Sequence, residues 1–190
     1  MAQREGIKAG IFHEDLTIVQ RDRNAAWFTE PEGAQILLCS EIGSEGRNFQ
    51  FAHHLILFDL PLHPELLEQR IGRLDRIGQT EDIHIHIPYF EKSPQHALVR
   101  WFHEGLNAFE DNLEGGNKFY KLYGTQLLEI AKNITNTDAT SALDALINET
   151  SAYQKELQKS LADGRDRLLE MNSFRPKVAE KLIAQIQEED

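Results

Sequence analysis

The chain has 190 residues, of which 41% are hydrophobic and 27% charged, and its net charge at pH 7 is −11. This composition is typical of a globular protein with a sizeable core, and the acidic balance excludes a generally basic nucleic-acid coat, although a local basic groove remains compatible with it. The single cysteine excludes an intrachain disulfide framework, no apolar run approaches the roughly 20 residues of a membrane span, and no signal peptide is evident. We therefore expect a soluble cytoplasmic protein.

The first half of the chain alternates short apolar runs with amphipathic stretches. Thr17 and Gln20 have the spacing of a capping box, and Pro64 suits the first turn of a helix. The β-α-β-α-β order predicts an α/β fold with a mostly parallel sheet, in which ligands bind beyond the carboxyl ends of the strands. The predicted strands are 6–13, 34–40, 54–60 and 82–90, and the predicted helices are 16–28 and 64–77.

The second half has a different pattern, which predicts helices only. A helix should begin at Ser93 and Pro94, and the glycines of "GGN" should end it. The predicted helices are 93–113, 118–134, 142–172 and 177–190, with a polar turn at 135–141. The fold class is thus an α/β lobe followed by an all-helical appendage.

Arginine and lysine are distributed unevenly along the chain. Residues 1–104 contain eight arginines and two lysines, whereas residues 105–190 contain three arginines and seven lysines. Arginine is favoured where a planar group must contact phosphate or carboxylate through two hydrogen bonds, and lysine serves well as a solvated charge. The first part is therefore where we expect the binding site.

The stretch "EQRIGRLDRIGQ" (68–79) places three arginines at intervals of three residues. On a helix they fan over roughly 120°, so that Arg73 and Arg76 can converge on one ligand while Arg70 faces elsewhere. The alternative is a solvated helix face with local ion pairs. Gly72 favours the first interpretation, because a glycine within a helix costs up to about 1 kcal/mol and permits close approach of another surface.

Two further stretches follow predicted strands. The glycine-bearing turn within "SEIGSEGRNFQ" (40–50) leads into a short helix and offers backbone N–H groups suited to phosphate, although many such turns only reverse the chain. Asp59 has the position to orient an arginine or the start of a helix, the alternative being a plain connector with a cap.

Other residues carry weaker signals. His84 and His86 share one face of a strand, but no third metal ligand is evident, so no metal site is predicted. Cys39 lies in an apolar run and is interpreted as a core residue. The pairs Trp27–Phe28 and Trp101–Phe102 are interpreted as core anchors rather than base-stacking surfaces.

The arginine stretch and the segment before it together resemble a known family. "QRIGRLDRIGQ" resembles motif VI of superfamily-two helicases in its SWI/SNF form, and "CSEIGSEGRNFQFAHHLILFDLPLHPELLEQ" resembles the motif V region. With "GIFHEDLTIVQRDRNAAWF" and "VRWFHEGLNAFE" added, the chain resembles the bacterial RNA polymerase-associated ATPases of that branch. The motif resemblance covers roughly residues 6–110, and the helical remainder resembles the following spacer region less specifically.

The resemblance implies that the chain provides one of the two lobes of an ATP-driven motor. In this family two RecA-like lobes face each other, and ATP with magnesium binds between them. The first lobe brings a P-loop and an acidic magnesium-binding motif, and this sequence contains neither. The chain then corresponds to a second RecA-like lobe (1–112), partial at its start, and a helical spacer (113–190). Its implied partners are the first lobe, double-stranded DNA and RNA polymerase, its implied location is the bacterial cytoplasm at the nucleoid, and alone it should lack ATPase activity.

The resemblance also assigns roles near the nucleotide. Arg73 and Arg76 match the motif VI arginines that reach the nucleotide phosphates, and Gln69 matches the leading glutamine of that motif. Gly43 and Gly46 match the motif V glycines near the cleft.

His13 and Ser40 match positions where the second lobe meets the nucleic-acid backbone. The sequence departs from the usual pattern at Glu14, Glu45 and Arg47, which weakens the assignment of DNA contacts more than that of the arginines. The sequence leaves two alternative functions open, namely a helical module that binds RNA polymerase and the lobe of an RNA helicase.

Overall fold

The computed structural model describes residues 6–40 and 49–172, without the side chains of residues 137 and 165–172. Its element order confirms the predicted α/β part followed by helices. The elements are β1 (Ala9–Phe12), α1 (Ile18–Thr29), β2 (Ile36–Cys39), β3 (His54–Ile56), α2 (Pro64–Ile71), β4 (His84–His86), α3 (Pro94–Arg100), a π-helical turn (Trp101–Gly105), α4 (Gly116–Lys132) and α5 (Thr137–Asn172). The helix predicted at 177–190 and the glycine turn at 43–46 lie outside the described residues.

The strands pair in parallel, as their separation by helices requires. β1 pairs with β2, with Gly10 opposite Leu37, and β3 pairs with β4, with Leu55 opposite Ile85. In the described part of the chain these form two two-stranded sheets. α1 connects the first pair and packs on it.

The strands are less buried than their continuous apolar sequences predict. Ile56 of β3 is 61% exposed and Leu38 of β2 is 55% exposed, whereas Leu57 is buried. In the β3–β4 pair the exposed residues alternate with half-buried Leu55 and Ile85, so this pair has one open face in the part of the chain that the structure describes. Cys39 is also exposed, so its interpretation as a core residue is wrong.

The start of α1 confirms the predicted capping box. The Thr17 hydroxyl accepts a hydrogen bond from the backbone N–H of Gln20, and the Gln20 side chain accepts one from the backbone N–H of Thr17 at 2.9 Å. Two of the N–H groups that a helix start leaves unpaired are satisfied in this way. The helix boundary is therefore a local property of the sequence.

Helix α2 ends six residues before the prediction. It begins at Pro64, as expected, but stops at Ile71, and Gly72 is its C-terminal cap. A side chain at Gly72 would place its Cβ 3.0 Å from the Glu68 carbonyl oxygen, so the tight end favours glycine. Arg73 and Arg76 consequently lie on turns beyond the helix and do not lie on one helix face.

The helix predicted at 93–113 is interrupted as well. It begins with Ser93 as cap and Pro94 in its first turn, as expected, but becomes a π-helical turn at Trp101. The N–H of Leu106 donates to the Trp101 carbonyl at 3.1 Å, and Asn107 has a left-handed φ of 49°. This wider turn accompanies complete burial of Trp101, whose indole N–H donates to the Thr150 hydroxyl at 3.0 Å.

The last two helices begin earlier than predicted. Gly115, with a φ of 84°, precedes α4, which starts at Gly116. α5 starts at Thr137, so the polar stretch 135–141 is mostly helical rather than a turn. A short connection between the two helices allows them to pack against each other.

Two hydrophobic cores of unequal size form in the described part of the chain. The small core contains Phe12, Ala25 and Phe49, with half-buried Phe28 packed against it. The large core extends from Leu57 to Ile147 and includes Trp101 and Phe102, which confirms this pair as core anchors. Leu67 of α2 belongs to it and is fully buried. Helix α2 thus packs with the helical appendage, and this packing positions the arginine turns.

Candidate functional site

The arginine turns border an open cleft. Gln69, Arg73 and Arg76 all line it, together with Gln79, residues 81–83, Ile85 and residues 108–112. Its volume of about 1150 Å³ exceeds the range of small-molecule pockets. Three predicted site residues are thus brought together on one side of a wide depression.

Backbone and side-chain hydrogen bonds hold the turn that carries the arginines. The N–H of Phe49 donates to the Arg73 carbonyl at 2.9 Å. The Gln79 amide nitrogen lies 3.1 Å from the Ala52 carbonyl oxygen and 3.4 Å from that of Leu74. The backbone of Arg73 is therefore tied to the segment that follows the predicted motif V glycines.

Gln79 is a residue whose role sequence reasoning missed. Its side-chain oxygen accepts hydrogen bonds from the N–H groups of Thr80 and Glu81, at 3.0 and 3.1 Å. With both ends of its amide engaged, it closes the turn at Gly78, where φ is 102°. The dipeptide Gly-Gln after a basic run is the only sequence signal for this role.

Arg70 has a different environment from the other two arginines. One of its guanidinium nitrogens donates to the Asp59 carbonyl at 2.7 Å, and another lies 3.7 Å from the Asp59 carboxylate. Of the alternatives that the sequence left open for Asp59, the structure thus shows contact with an arginine. Arg70 does not belong to the residues that line the cleft, which agrees with its predicted separation from Arg73 and Arg76.

The cleft is acidic apart from its two arginines. Its lining carboxylates are Glu65, Glu68, Asp75, Glu81, Asp82, Glu110 and Asp111. Partial burial, as the largest effect, raises the pKa of Glu68 above its ordinary value, and the neighbouring Glu65 adds to the rise. An anionic ligand at this surface therefore requires positive charge beyond that of Arg73 and Arg76.

His13 and Ser40 lie at the carboxyl ends of the paired strands β1 and β2. The N–H of Ser40 donates to the Phe12 carbonyl at 3.1 Å, so the two strand ends are adjacent. The Ser40 hydroxyl donates to the Glu14 carboxylate, and this bond is the main reason that the pKa of Glu14 is lowered. The two residues predicted to contact the nucleic-acid backbone thus lie close together, and neither lines the arginine cleft.

The remaining predicted site residues, Gly43 and Gly46, lie outside the described residues, as do Glu45 and Arg47. The structure gives no geometry for them.

His84 and His86 meet a third histidine, His54, which sequence reasoning did not connect with them. The His54 and His86 ring nitrogens are 3.0 Å apart, and the His54 and His84 rings stack at 4.9 Å. Desolvation and then the neighbouring histidines lower the pKa of His54. Even so, no group of three His, Cys, Asp or Glu side chains in the described residues has a metal-binding arrangement.

Comparison with known proteins identifies two families along the chain. The family described as "RNA polymerase recycling family C-terminal" matches residues 82–190, and the family described as "Helicase conserved C-terminal domain" matches residues 1–78. Among the helices that the structure describes, none is both long and apolar enough to cross a membrane.

One solved structure similar to the chain is that of the C-terminal part of the Fun30 ATPase domain, at 18% identity and a TM-score of 0.47. The match covers 67% of this chain and 42% of that one, so the chain spans less than half of its length. The first family covers more than half of the chain, which therefore belongs to the RNA polymerase recycling family, as a RapA-type fragment of helicase superfamily two with a RecA-like C-terminal lobe and a helical region.

Proposed function

We propose that, in the intact enzyme, this chain is the second motor lobe of an ATP-driven translocase on double-stranded DNA that binds RNA polymerase and aids its recycling in transcription. The observation that carries the proposal is the placement of Gln69, Arg73 and Arg76 on one open cleft. The two family matches support the motor lobe and the association with polymerase recycling.

In this proposal Arg73 and Arg76 contact the phosphates of an ATP molecule bound by the first lobe. Phosphoryl transfer is catalysed by positioning and by neutralising charge on the phosphate oxygens, which planar guanidinium groups do well. Because the arginines come from the opposite lobe, hydrolysis depends on closure of the two lobes. Magnesium, held mostly by the first lobe, neutralises further phosphate charge when bound.

The acidic lining of the cleft agrees with a divided site. Seven carboxylates accompany the two arginines, so this lobe alone offers no net positive surface to a triphosphate. The P-loop lysine and the magnesium ion of the first lobe would supply the missing charge. We accordingly expect the 190-residue chain alone to have no ATPase activity.

The nucleic-acid backbone is assigned to the ends of β1 and β2. There His13 and Ser40 contact the phosphates of the nucleic acid, whereas Gly43 and Gly46 are assigned to the bound nucleotide by their match to motif V. Since the Ser40 hydroxyl bonds Glu14, DNA binding at this point exchanges a carboxylate partner for a phosphate.

The two proposed roles correspond to the two predicted domains. Residues 1–112 form the motor lobe, and residues 113–190 form a helical spacer that offers an acidic surface to RNA polymerase. The protein works in the cytoplasm, at the nucleoid.

The test uses the full-length enzyme that contains both lobes. Arg76→Ala should reduce DNA-stimulated ATP hydrolysis about 10³-fold, the scale of an arginine finger, while ATP binding largely survives. The matched control is Arg23→Ala, which removes one exposed guanidinium from α1 and should leave turnover unchanged. Turnover near wild type in Arg76→Ala would overturn the arginine assignment.

The nature of the nucleic acid needs its own measurement. An RNA helicase lobe shares the same ATP chemistry, so duplex DNA and RNA should be compared as activators of the intact enzyme. Stronger stimulation by duplex DNA supports the proposal, and preference for RNA contradicts it.

A further inference from the structure

Two carboxylates of α2 bond to the helical region across a long sequence separation. The Glu68 carboxylate accepts a hydrogen bond from the N–H of Leu113 at 2.8 Å, and the Glu65 carboxylate accepts one from the N–H of Asn117 at 3.1 Å. The two glutamates are three residues apart, so they lie on the same side of α2. Together they hold the segment that leads into α4.

The start of α4 needs these acceptors. The first N–H groups of a helix have no partner within it, and Gly115, the residue before α4, has no side chain to cap it. Glu65 therefore acts as a cap supplied from another helix. Its negative charge also suits the positive end of the α4 dipole.

The first turns of α2 and α4 are in close contact. A Cβ added to Gly116 would lie 3.2 Å from the Pro64 Cβ and 3.3 Å from the Glu65 backbone nitrogen. Beside it, the rings of His63 and Tyr120 are 4.4 Å apart. The first turns of α2 and α4 thus pack backbone against backbone.

The same helix leads directly into the arginine turn. The Glu68 carbonyl accepts the N–H of Gly72 at 2.8 Å, which is the bond that ends α2, and Arg73 is the next residue. Glu65 and Glu68 also line the same cleft as Arg73 and Arg76. A shift of the α4 start relative to α2 would therefore move the arginines.

We infer that Glu65 and Glu68 form a clamp through which the helical region positions Arg73 and Arg76, and that Glu68 is a positioning residue for ATP hydrolysis. The inference rests on the proposed function of the arginines. It gives a partner that binds the helical region a route to the rate of hydrolysis, through displacement of α4 and without contact with the nucleotide.

The role of Glu68 is that of an acceptor rather than a charge. The N–H of Leu113 requires an oxygen at this position. Partial burial raises the pKa of Glu68, and the hydrogen bond from Leu113 opposes that rise. Glutamine preserves an oxygen at this position and removes the charge. The pair Glu68→Gln and Glu68→Ala therefore separates hydrogen bonding from electrostatics.

The experiment measures kcat and KM for ATP in the full-length enzyme with saturating duplex DNA. Glu68→Ala should lower kcat about tenfold, since misplacing a catalytic group by about 1 Å costs up to 10²-fold, and should change KM less than about twofold. Glu68→Gln should stay within about twofold of wild type. The control Glu129→Ala removes an exposed carboxylate of α4 that does not line the cleft and should also stay near wild type.

Three results would overturn the clamp: unchanged kcat in Glu68→Ala, an equal loss in Glu68→Gln, or an equal loss in Glu129→Ala. If Glu68→Ala does not fold, Gly116→Ala decides, because its added Cβ meets Pro64 and Glu65 and pushes the helices apart while both carboxylates stay in the chain, and it should lower kcat similarly. The Arg76→Ala variant separates this inference from the proposed function. If Arg76→Ala abolishes turnover and Glu68→Ala does not lower it, only the clamp is wrong, whereas normal turnover in Arg76→Ala refutes the arginine function itself.

Discussion

The two hydrophobic cores differ in size and in what they connect. The small core joins β1, α1 and Phe49, whereas the large core joins the end of β3 and α2 to the three helices that follow. Helix α2 belongs by sequence pattern to the α/β part but by packing to the helical region. The arginine turn lies where the two meet, since Phe49 bonds Arg73 from one side and α2 leads into it from the other.

This difference implies that the two parts open with different free energies, because local stability follows buried apolar contact. A site between a small and a large core can change shape when the small one moves. The following substitutions test how independent the two cores are, from the largest expected effect to the smallest.

Removing the central side chain of the large core should have the largest effect. Trp101 is fully buried, so Trp101→Ala should lower the free energy of unfolding by about 3–5 kcal/mol, measured by urea denaturation of the 190-residue chain. Thr150→Val is the matched control, which leaves the indole N–H unpaired and should cost about 1–3 kcal/mol. A loss below about 1 kcal/mol in Trp101→Ala would show that the large core is not the centre of stability.

Phe12→Ala tests the small core. The side chain is 2% exposed and meets the Phe49 ring edge-on at 6.4 Å. We expect a loss of about 3 kcal/mol, at the low end for buried phenylalanine, because few neighbours share this core. Hydrogen exchange should speed up in β1, α1 and β2 and remain slow in α4 and α5. Equal loss of protection in α4 would mean that both cores unfold as one unit.

Thr17→Ala tests the start of α1, the helix of the small core. Loss of the capping box leaves N–H groups at the start of α1 unpaired and should cost about 1 kcal/mol, measured by the urea midpoint. Gln20→Glu is the control, since a carboxylate preserves the reciprocal acceptor. A midpoint unchanged in Thr17→Ala would show that α1 is held by packing alone.

The smallest expected effect on the free energy of unfolding comes from an ion pair beside the large core, and it depends on pH. Glu104 bonds Arg100 through two contacts of 2.7 Å, and this arginine lowers the pKa of the Glu104 carboxyl from its ordinary 4.5. A depressed folded-state pKa adds stability above the unfolded value, and that stability is lost as pH falls through the folded value. Glu104→Gln should therefore cost under about 1 kcal/mol at neutral pH, since the pair is partly exposed.

The measurement for Glu104 is a series of urea midpoints for wild type and variant on lowering the pH from neutral to about 3. The two curves should converge on the acid side, below the ordinary pKa of glutamate. A gap that persists unchanged at the lowest pH would assign the effect to packing instead of the ion pair. Asp144, which also bonds Arg100 at 2.9 Å, is unchanged in both proteins.

Local signals in the sequence predicted the helix starts that carry a cap or a proline, whereas they missed the starts of α4 and α5 by two and five residues and the end of α2 by six. Thr17, Pro64 and Ser93 each begin a helix where predicted, because a cap involves atoms a few residues apart. The end of α2 at Gly72 was missed, since the apolar spacing continues beyond it. The π-helical turn was missed because it accompanies the contact of Trp101 with Thr150, a residue 49 positions away.

The candidate site likewise has features that the sequence predicted and features that depend on distant contacts. The sequence by itself predicted that Arg73 and Arg76 act together, because their spacing and their guanidinium chemistry suit one phosphate ligand, and the resemblance to motif VI added Gln69. The sequence singled out Asp59 as a residue able to orient an arginine, but it did not identify Arg70, eleven residues further along, as the partner. Tertiary structure alone decided that the arginines stand on turns instead of a helix face, and that Glu65 and Glu68 hold the start of α4. The partners of these carboxylates lie 45 and 52 residues further along the chain, where no local pattern reveals them, and only packing of the large core brings them within hydrogen-bonding distance.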